Sequence, residues 1–196
     1  MILGVDTDQP VSSTVAQAWQ AARVAAVGRY LRNLQRCEVD TLHQAGLRVW
    51  AIFETNPTYG AYFTDAQGQQ DAQLAVQQAQ ALGLPTGKPI FLTVDYVPDA
   101  HDHAAVVAYL QAALPVLQAA GYVLGVYGNY TVCWWVWNTP GLNNALRYWQ
   151  TAGNGSCGYV FPYADLFQIP STCGNSPTLG GQAVDFNWLN DGEVAW

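Results

Sequence analysis

Positive charge is what this 196-residue chain has least of. Seven Lys and Arg stand against fourteen Asp and Glu, Lys88 is the single lysine, and the formal net charge is −7. A surface of that sign repels polyphosphate and anionic lipid, and no basic stripe or groove-reading motif offsets it, so nucleic acid is excluded as a partner. No apolar run is long enough to span a bilayer. Neither CxxC nor HxxxH spacing occurs, and His101 and His103 stand on an Asp-rich loop, so no zinc site and no other metal or cofactor is expected. No P-loop is present. The start, MILGVDTD, lacks the basic residues of a secretory leader, and Asp6 interrupts its apolar run.

Four cysteines are present: Cys37, Cys133, Cys157 and Cys173. Cys157 and Cys173 bracket a stretch rich in Gly, Pro and Ser, and a disulfide between them is expected, contributing about 3 kcal/mol in the chain-entropy model. The alternative is four unpaired thiols. The disulfide fits a protein whose target is periplasmic or extracellular, exported without a classical signal peptide.

Half of the chain is apolar (51%) and 11% is charged, the balance of a globular protein, and one domain over residues 1–196 is expected. Its first half alternates short apolar runs with amphipathic stretches. ILGVD, AVGRYL, LRVWAIFE, KPIFLTVD and YVLGVYG read as strands, each followed by a helix. Ser13 is the expected N-cap of the first helix, Gly46 closes the second, and Pro115 lies inside the fourth. RYWQT, ADLFQI and AVDFN then read as three strands with Gly, Pro, Ser and Asn between them in place of helices. Strand–helix alternation predicts a parallel sheet, and eight strands predict closure. The expected fold is α/β: a TIM-like barrel of five βα units followed by three bare strands. An open doubly wound sheet is the alternative.

Four of the apolar runs end on an acid: Asp6, Glu54, Asp95 and Asp185. Acids are depleted in strands and seldom buried alone. In a parallel barrel the C-terminal strand ends share one face, where active sites collect, so these four carboxylates are expected to meet. Paired carboxylates suit glycosidic bond cleavage, which needs one protonated and one ionised. Glu54 is one of three glutamates and follows VWAIF directly, while Asp95 follows IFLTV. Arg29 in VGRYL is placed to orient a neighbouring carboxylate, or to make a plain structural ion pair. Tyr30, Tyr96 and Tyr127 follow strands and are candidates to bind sugar hydroxyls. Eight Trp are present, and Trp149 with Gln150 in YWQ is the favoured stacking pair.

GVDT, VGRYL, AGLRVWAIFE, ALGLPTGKPIFLTVDY, GYVLGVYGNY, RYWQT and VDFN occur in that order from about Ile2 to Asn187. Together they resemble the glycoside-hydrolase-like barrel called domain of unknown function 1906, which is similar in turn to the family 25 lysozymes. The resemblance implies a cell-wall glycan, peptidoglycan, as substrate. It puts Asp6, Glu54, Asp95 and Asp185 at the acidic positions of the barrel mouth and Arg29 at the GRY position. The chain departs from the lysozymes on the fourth strand, where their Asp-x-Glu becomes Thr93-Val94-Asp95. A glycan-binding barrel without turnover is therefore the competing reading, and metal-assisted hydrolysis ranks third. If the chain is a secreted effector, an immunity protein joins its partners.

Overall fold

The structure, a computed structural model, describes residues 1–143, 145–156, 158–169 and 177–196. Eight strands close a barrel: β1 (Ile2–Thr7), β2 (Ala26–Tyr30), β3 (Arg48–Phe53), β4 (Pro89–Thr93), β5 (Val123–Gly128), β6 (Leu146–Thr151), β7 (Leu166–Gln168) and β10 (Asp185–Leu189). A separate hairpin, β8 (Thr178–Leu179) with β9 (Gln182–Ala183), precedes the last strand. Helices follow the first five strands: α1 (Ser13–Ala21), α2 (Arg36–Gln44), α3 (Asp65–Leu82), α4 (His103–Ala119) and α5 (Tyr130–Trp137). Five βα units and then bare strands are thus the observed architecture. The N-cap of α1 is Ser12, one residue before the expected Ser13, and its hydroxyl accepts from the Val15 amide at 3.3 Å.

One strand runs against expectation. β1 to β7 are parallel to their neighbours, but β10 is antiparallel to both β1 and β7. A parallel partner needs a crossover that carries the chain back along the barrel, which a helix provides after each of the first five strands and a helix-less segment provides between β6 and β7. Before β10 the chain makes no such return: it leaves β7 at the mouth and enters β10 from the same end. Asp185 therefore begins β10 rather than closing it, and the register sets it opposite Asp6.

Side chains alternate between the two faces of each strand. Val5, Val27, Val49, Leu92 and Val126 face the helices and form the outer core. Ala26, Trp50, Ile52, Phe91, Trp149, Leu166 and Leu189 point inward and fill the lower barrel. Trp50 sits against Trp149 edge-on at 5.8 Å, and Phe91 does the same at 5.7 Å. Two glycines make room for Trp50. A Cβ on Gly28 would stand 2.5 Å from the indole, and one on Gly4 would stand 2.9 Å from it. Cys37 is an exposed free thiol and Cys133 a buried one, while the expected Cys157–Cys173 pair lies outside the described residues.

The seat of Trp50 is testable. Gly28→Ala is expected to lower stability by about 1–3 kcal/mol, because the added methyl overpacks a filled interior. Chemical denaturation measures this, and an unchanged midpoint would show that the indole does not depend on that gap.

Candidate active site

The acids reach the mouth from four directions. Asp6 points inward from β1, Glu54 follows the last residue of β3, Asp95 lies two residues beyond β4, and Asp185 opens β10. They line two adjoining hollows open to solvent. The first, of about 490 Å³, is walled by Asp6, Glu54, Asp185, Tyr30 and Arg32. The second, of about 720 Å³, is walled by Asp95, Asp185, Tyr30, Tyr127, Asn154 and Gln168. Tyr30 and Asp185 belong to both, so the hollows form one cleft over the apolar floor.

Between floor and cleft lies a layer of hydrogen bonds centred on Asp6. The Trp149 Nε1–H donates to Asn187 Oδ1 at 2.8 Å. An indole nitrogen can only donate, so the Asn187 amide is oriented, and its Nδ2 donates to Asp6 Oδ2 at 2.7 Å. On the neighbouring strand β7, Gln168 accepts at Oε1 from the Tyr127 hydroxyl at 2.8 Å and donates from Nε2 to Asp6 Oδ2 at 3.2 Å. Both amides converge on one carboxyl oxygen.

Burial and mutual repulsion tune the group. Burial is the largest influence on Asp6; the Asp185 and Glu54 charges add to it, the two amides oppose it, and the carboxyl is pushed up to about 7. Glu54 is raised first by burial and then by the Asp95 charge, with Arg32 opposing. Arg32 Nη1 donates to the Glu54 main-chain oxygen at 2.6 Å and lies 3.3 Å from its carboxylate. Asp185 is raised by burial and then by Asp95. Burial likewise pushes the Tyr30 and Tyr127 phenols up, which keeps them as neutral donors. Among the described residues, no group of three or more His, Cys, Asp or Glu side chains is placed to hold a metal ion.

Of the residues expected from sequence, the cleft gathers Asp6, Glu54, Asp95, Asp185, Tyr30 and Tyr127. Four others lie elsewhere. Arg29 faces the helices, fully buried, with Nε 2.7 Å from Glu38 Oε1 and Nη1 donating to the Thr7 carbonyl; it makes the structural ion pair, not a cleft contact. Tyr96 stacks on Phe63 at 5.8 Å and packs with the outer core. Trp149 is 1% exposed in the floor and has no face free for a sugar. Gln150 points outward, donating to the Tyr159 carbonyl at 2.7 Å and accepting from the Phe161 amide at 2.5 Å.

Sequence reading misses Arg32, Asn154, Gln168 and Asn187. Arg32 stands two residues beyond Tyr30, and its guanidinium lies 4.9 Å over that ring. Asn154 holds a left-handed backbone (φ 49°) and donates from Nδ2 to Asp95 Oδ1 at 2.7 Å. Few residues other than glycine adopt that conformation, and Asn is the commonest polar one. Asn154 falls in a Gly-x-Gly-x-x-Gly spacing, Gly153 to Gly158, which sequence reading also passes over. That segment follows β6 but leads toward β7 with no helix among the described residues, so it lacks the helix N-terminus that holds a pyrophosphate.

A family model described as Rv2525c-like, glycoside hydrolase-like domain matches residues 17–176. The chain is 28% identical over 182 residues to the uncharacterized protein FadG of Bacillus subtilis (strain 168), covering 85% of this chain and 31% of that protein. It therefore spans less than a third of this curated relative. Among solved structures, the Tat-secreted protein Rv2525c of Mycobacterium tuberculosis, in complex with L-tartrate, superposes with a TM-score of 0.81 at 23% identity, over 97% of this chain and 96% of that one. A muramidase from Trichobolus zukalii superposes with a TM-score of 0.65 at 15% identity, over 97% and 94%. At these identities the likeness to the solved structures is one of fold.

The proton on Asp6 links the site to stability. Its carboxyl titrates near 3.8 when unperturbed and near 7 in the fold, so over that span the native state holds a proton that the unfolded chain releases. The associated stability is complete below the lower value and is lost as pH rises through the upper one. A shift of this size is worth on the order of 4 kcal/mol. Asp6→Asn is expected to flatten the loss between about pH 4 and pH 8, followed by urea denaturation across that range. A variant whose stability falls in parallel with the parent would place the titration on another group.

Proposed function

The chain belongs to the Rv2525c-like, glycoside hydrolase-like domain family, and from that premise we propose that it hydrolyses a glycosidic bond in a bacterial cell-wall glycan, with peptidoglycan as substrate. The observation that carries this reading is the mutual electrostatics of the four carboxyls. Asp6 senses Asp185 and Glu54, while Glu54 and Asp185 both sense Asp95. Groups coupled in this way share one solvent-open cleft and resist ionising together, the condition for holding one acid protonated beside an ionised partner.

Glu54 is the general acid. Its carboxyl is raised and lines the cleft, so it donates its proton to the leaving glycosidic oxygen as the C–O bond breaks. Asp95 is the ionised partner that faces the positive charge developing on the sugar ring, held by the Asn154 amide. Water supplies the hydroxyl to the anomeric carbon, and its proton restores Glu54. Asp6 and Asp185 hold substrate hydroxyls, and Tyr30 and Tyr127 donate to sugar oxygens. The apolar floor closes the bottom of the cleft and reduces screening of these charges from below. A periplasmic or extracellular target accords with the Tat-secreted relative, and no described helix is long and apolar enough to cross a membrane.

One feature favours the second reading, a glycan-binding barrel without turnover. Thr93, where the lysozymes carry the first acid of their pair, is 3% exposed and supplies no carboxyl. Release of reducing ends from purified peptidoglycan separates the two. The hydrolase reading expects release that Glu54→Gln cuts by about a hundredfold or more while the melting temperature holds. Equal release by parent and variant would remove Glu54 from the acid role. Saturable binding by the parent with no release over long incubation would establish the binding barrel.

A further inference from the structure

The segment that descends from β6 to β7 in place of a helix carries an exposed, rigidly held aromatic face. Tyr159 is 62% exposed, and Val160 and Val97 are 60% and 64% exposed. Val97, from the loop after β4, lies against Gly155: one of its methyl carbons is 3.2 Å from the position a Cβ would take there. The Tyr159 ring stacks on Tyr130 at 5.1 Å and 29°, and Tyr130 is the first residue of α5, at the mouth end of the barrel. One face of Tyr159 is covered in this way and the other meets solvent.

The backbone around that ring is held from both sides. The fully buried Gln150 uses both ends of its amide on it, donating to the Tyr159 carbonyl and accepting from the Phe161 amide. Ser156 Oγ accepts from the Tyr130 amide at 3.2 Å and donates to the Thr151 carbonyl at 2.5 Å. Asn129 Nδ2 donates to the Asn154 carbonyl at 2.6 Å, and Asn154 in turn holds Asp95. The Gln150 amide thereby fixes the main chain on both sides of Val160 and holds the segment that carries the Tyr159 ring. Rigid rings whose ordering cost is met in the free protein are what binding surfaces use.

We propose that Tyr159 is the platform of a sugar-stacking subsite outside the carboxylate cleft, which takes a further uncharged N-acetylhexosamine unit of the strand whose scissile bond lies by Asp95. The proposal rests on the glycan reading above. Three observations favour this occupant. Gly153 and Asn154 line the second hollow, so the segment bearing Tyr159 is continuous with the cleft wall. No charged residue occurs from position 152 to 164, which suits a neutral ligand. The flat apolar face of a pyranose matches a ring with one free side. A lipid surface fits less well, because the net charge of −7 repels anionic headgroups and the patch has no basic residue to offset it.

The test is calorimetric binding of chitobiose and chitohexaose to the full chain carrying Glu54→Gln, with and without Tyr159→Ala or Tyr159→Trp. The expected result is a loss of about tenfold or more for chitohexaose in Tyr159→Ala, no change for chitobiose, and recovery in Tyr159→Trp. Unchanged melting temperatures check the fold. If Tyr159→Ala affects neither ligand, or both equally, while the parent binds them, the subsite is overturned and the glycan reading stands. If the parent binds neither sugar nor purified peptidoglycan, the glycan reading fails and takes the subsite with it. Capture of the parent, but not of Tyr159→Ala, by phosphatidylcholine vesicles would assign the face to lipid and overturn the proposal.

Discussion

A strand in a closed barrel can send only every second side chain inward, and the space inside is small. These two facts govern the molecule. Trp50 occupies the middle of the barrel only because Gly4 and Gly28 leave its indole room, and Gly125 does the same beside Phe91. Trp149, Leu166 and Leu189 complete the floor. With the bottom filled, the polar side chains one step further along the same strands are raised to the mouth, where they meet solvent on one side and hydrocarbon on the other. Asp6, Glu54 and Asp185 owe their raised affinity for protons chiefly to that position and secondarily to neighbouring carboxylates.

Asp6 shows how the layers are joined. Below it, an indole that can only donate orients the Asn187 amide toward the carboxyl. Beside it, Gln168 on the strand next to Asn187 does the same, oriented by Tyr127 from across the barrel. Floor, hydrogen-bond layer and cleft are thus one assembly, and changing the floor residue Trp149 would release an amide that Asp6 depends on. The antiparallel last strand completes it, because only a chain re-entering from the mouth sets Asp185 opposite Asp6. On the far wall the helix-less segment after β6 supplies Asn154 to Asp95 and holds Tyr159 at the rim.

Much of this was legible in the residues. Acids ending apolar runs marked the mouth, and the change from helices to Gly- and Pro-rich gaps after YVLGVYG marked the bare strands. Three of the four misplaced residues, Arg29, Tyr96 and Gln150, share one cause. Arg29 and Tyr30, Asp95 and Tyr96, and Trp149 and Gln150 are all candidates in the sequence, although neighbours on extended backbone face opposite ways. In each pair one member points into the barrel and the other toward the helices or a loop. Applied strictly, the two-residue period removes Arg29, whereas Arg32 lies in the turn after β2, where that period no longer holds. Trp149 failed for another reason: it faces inward, but at the level of the floor. Asn154 and Asn187 had no such signal, since an amide in a polar stretch looks the same whether it orients a carboxylate or faces water.

By itself the sequence determined the order of strands and helices, the family, and the identity of the acids at the strand ends, because these follow from local periodicity and from residue types that water and hydrocarbon sort in the same way everywhere. Which neighbour of each pair faces the interior, which way the last strand runs, how deep a ring lies and which carboxyl keeps its proton were decided only by closure of the barrel. Those properties depend on register and burial across more than a hundred residues of separation, as between Asp6 and Asp185, and no local stretch of chain carries that information.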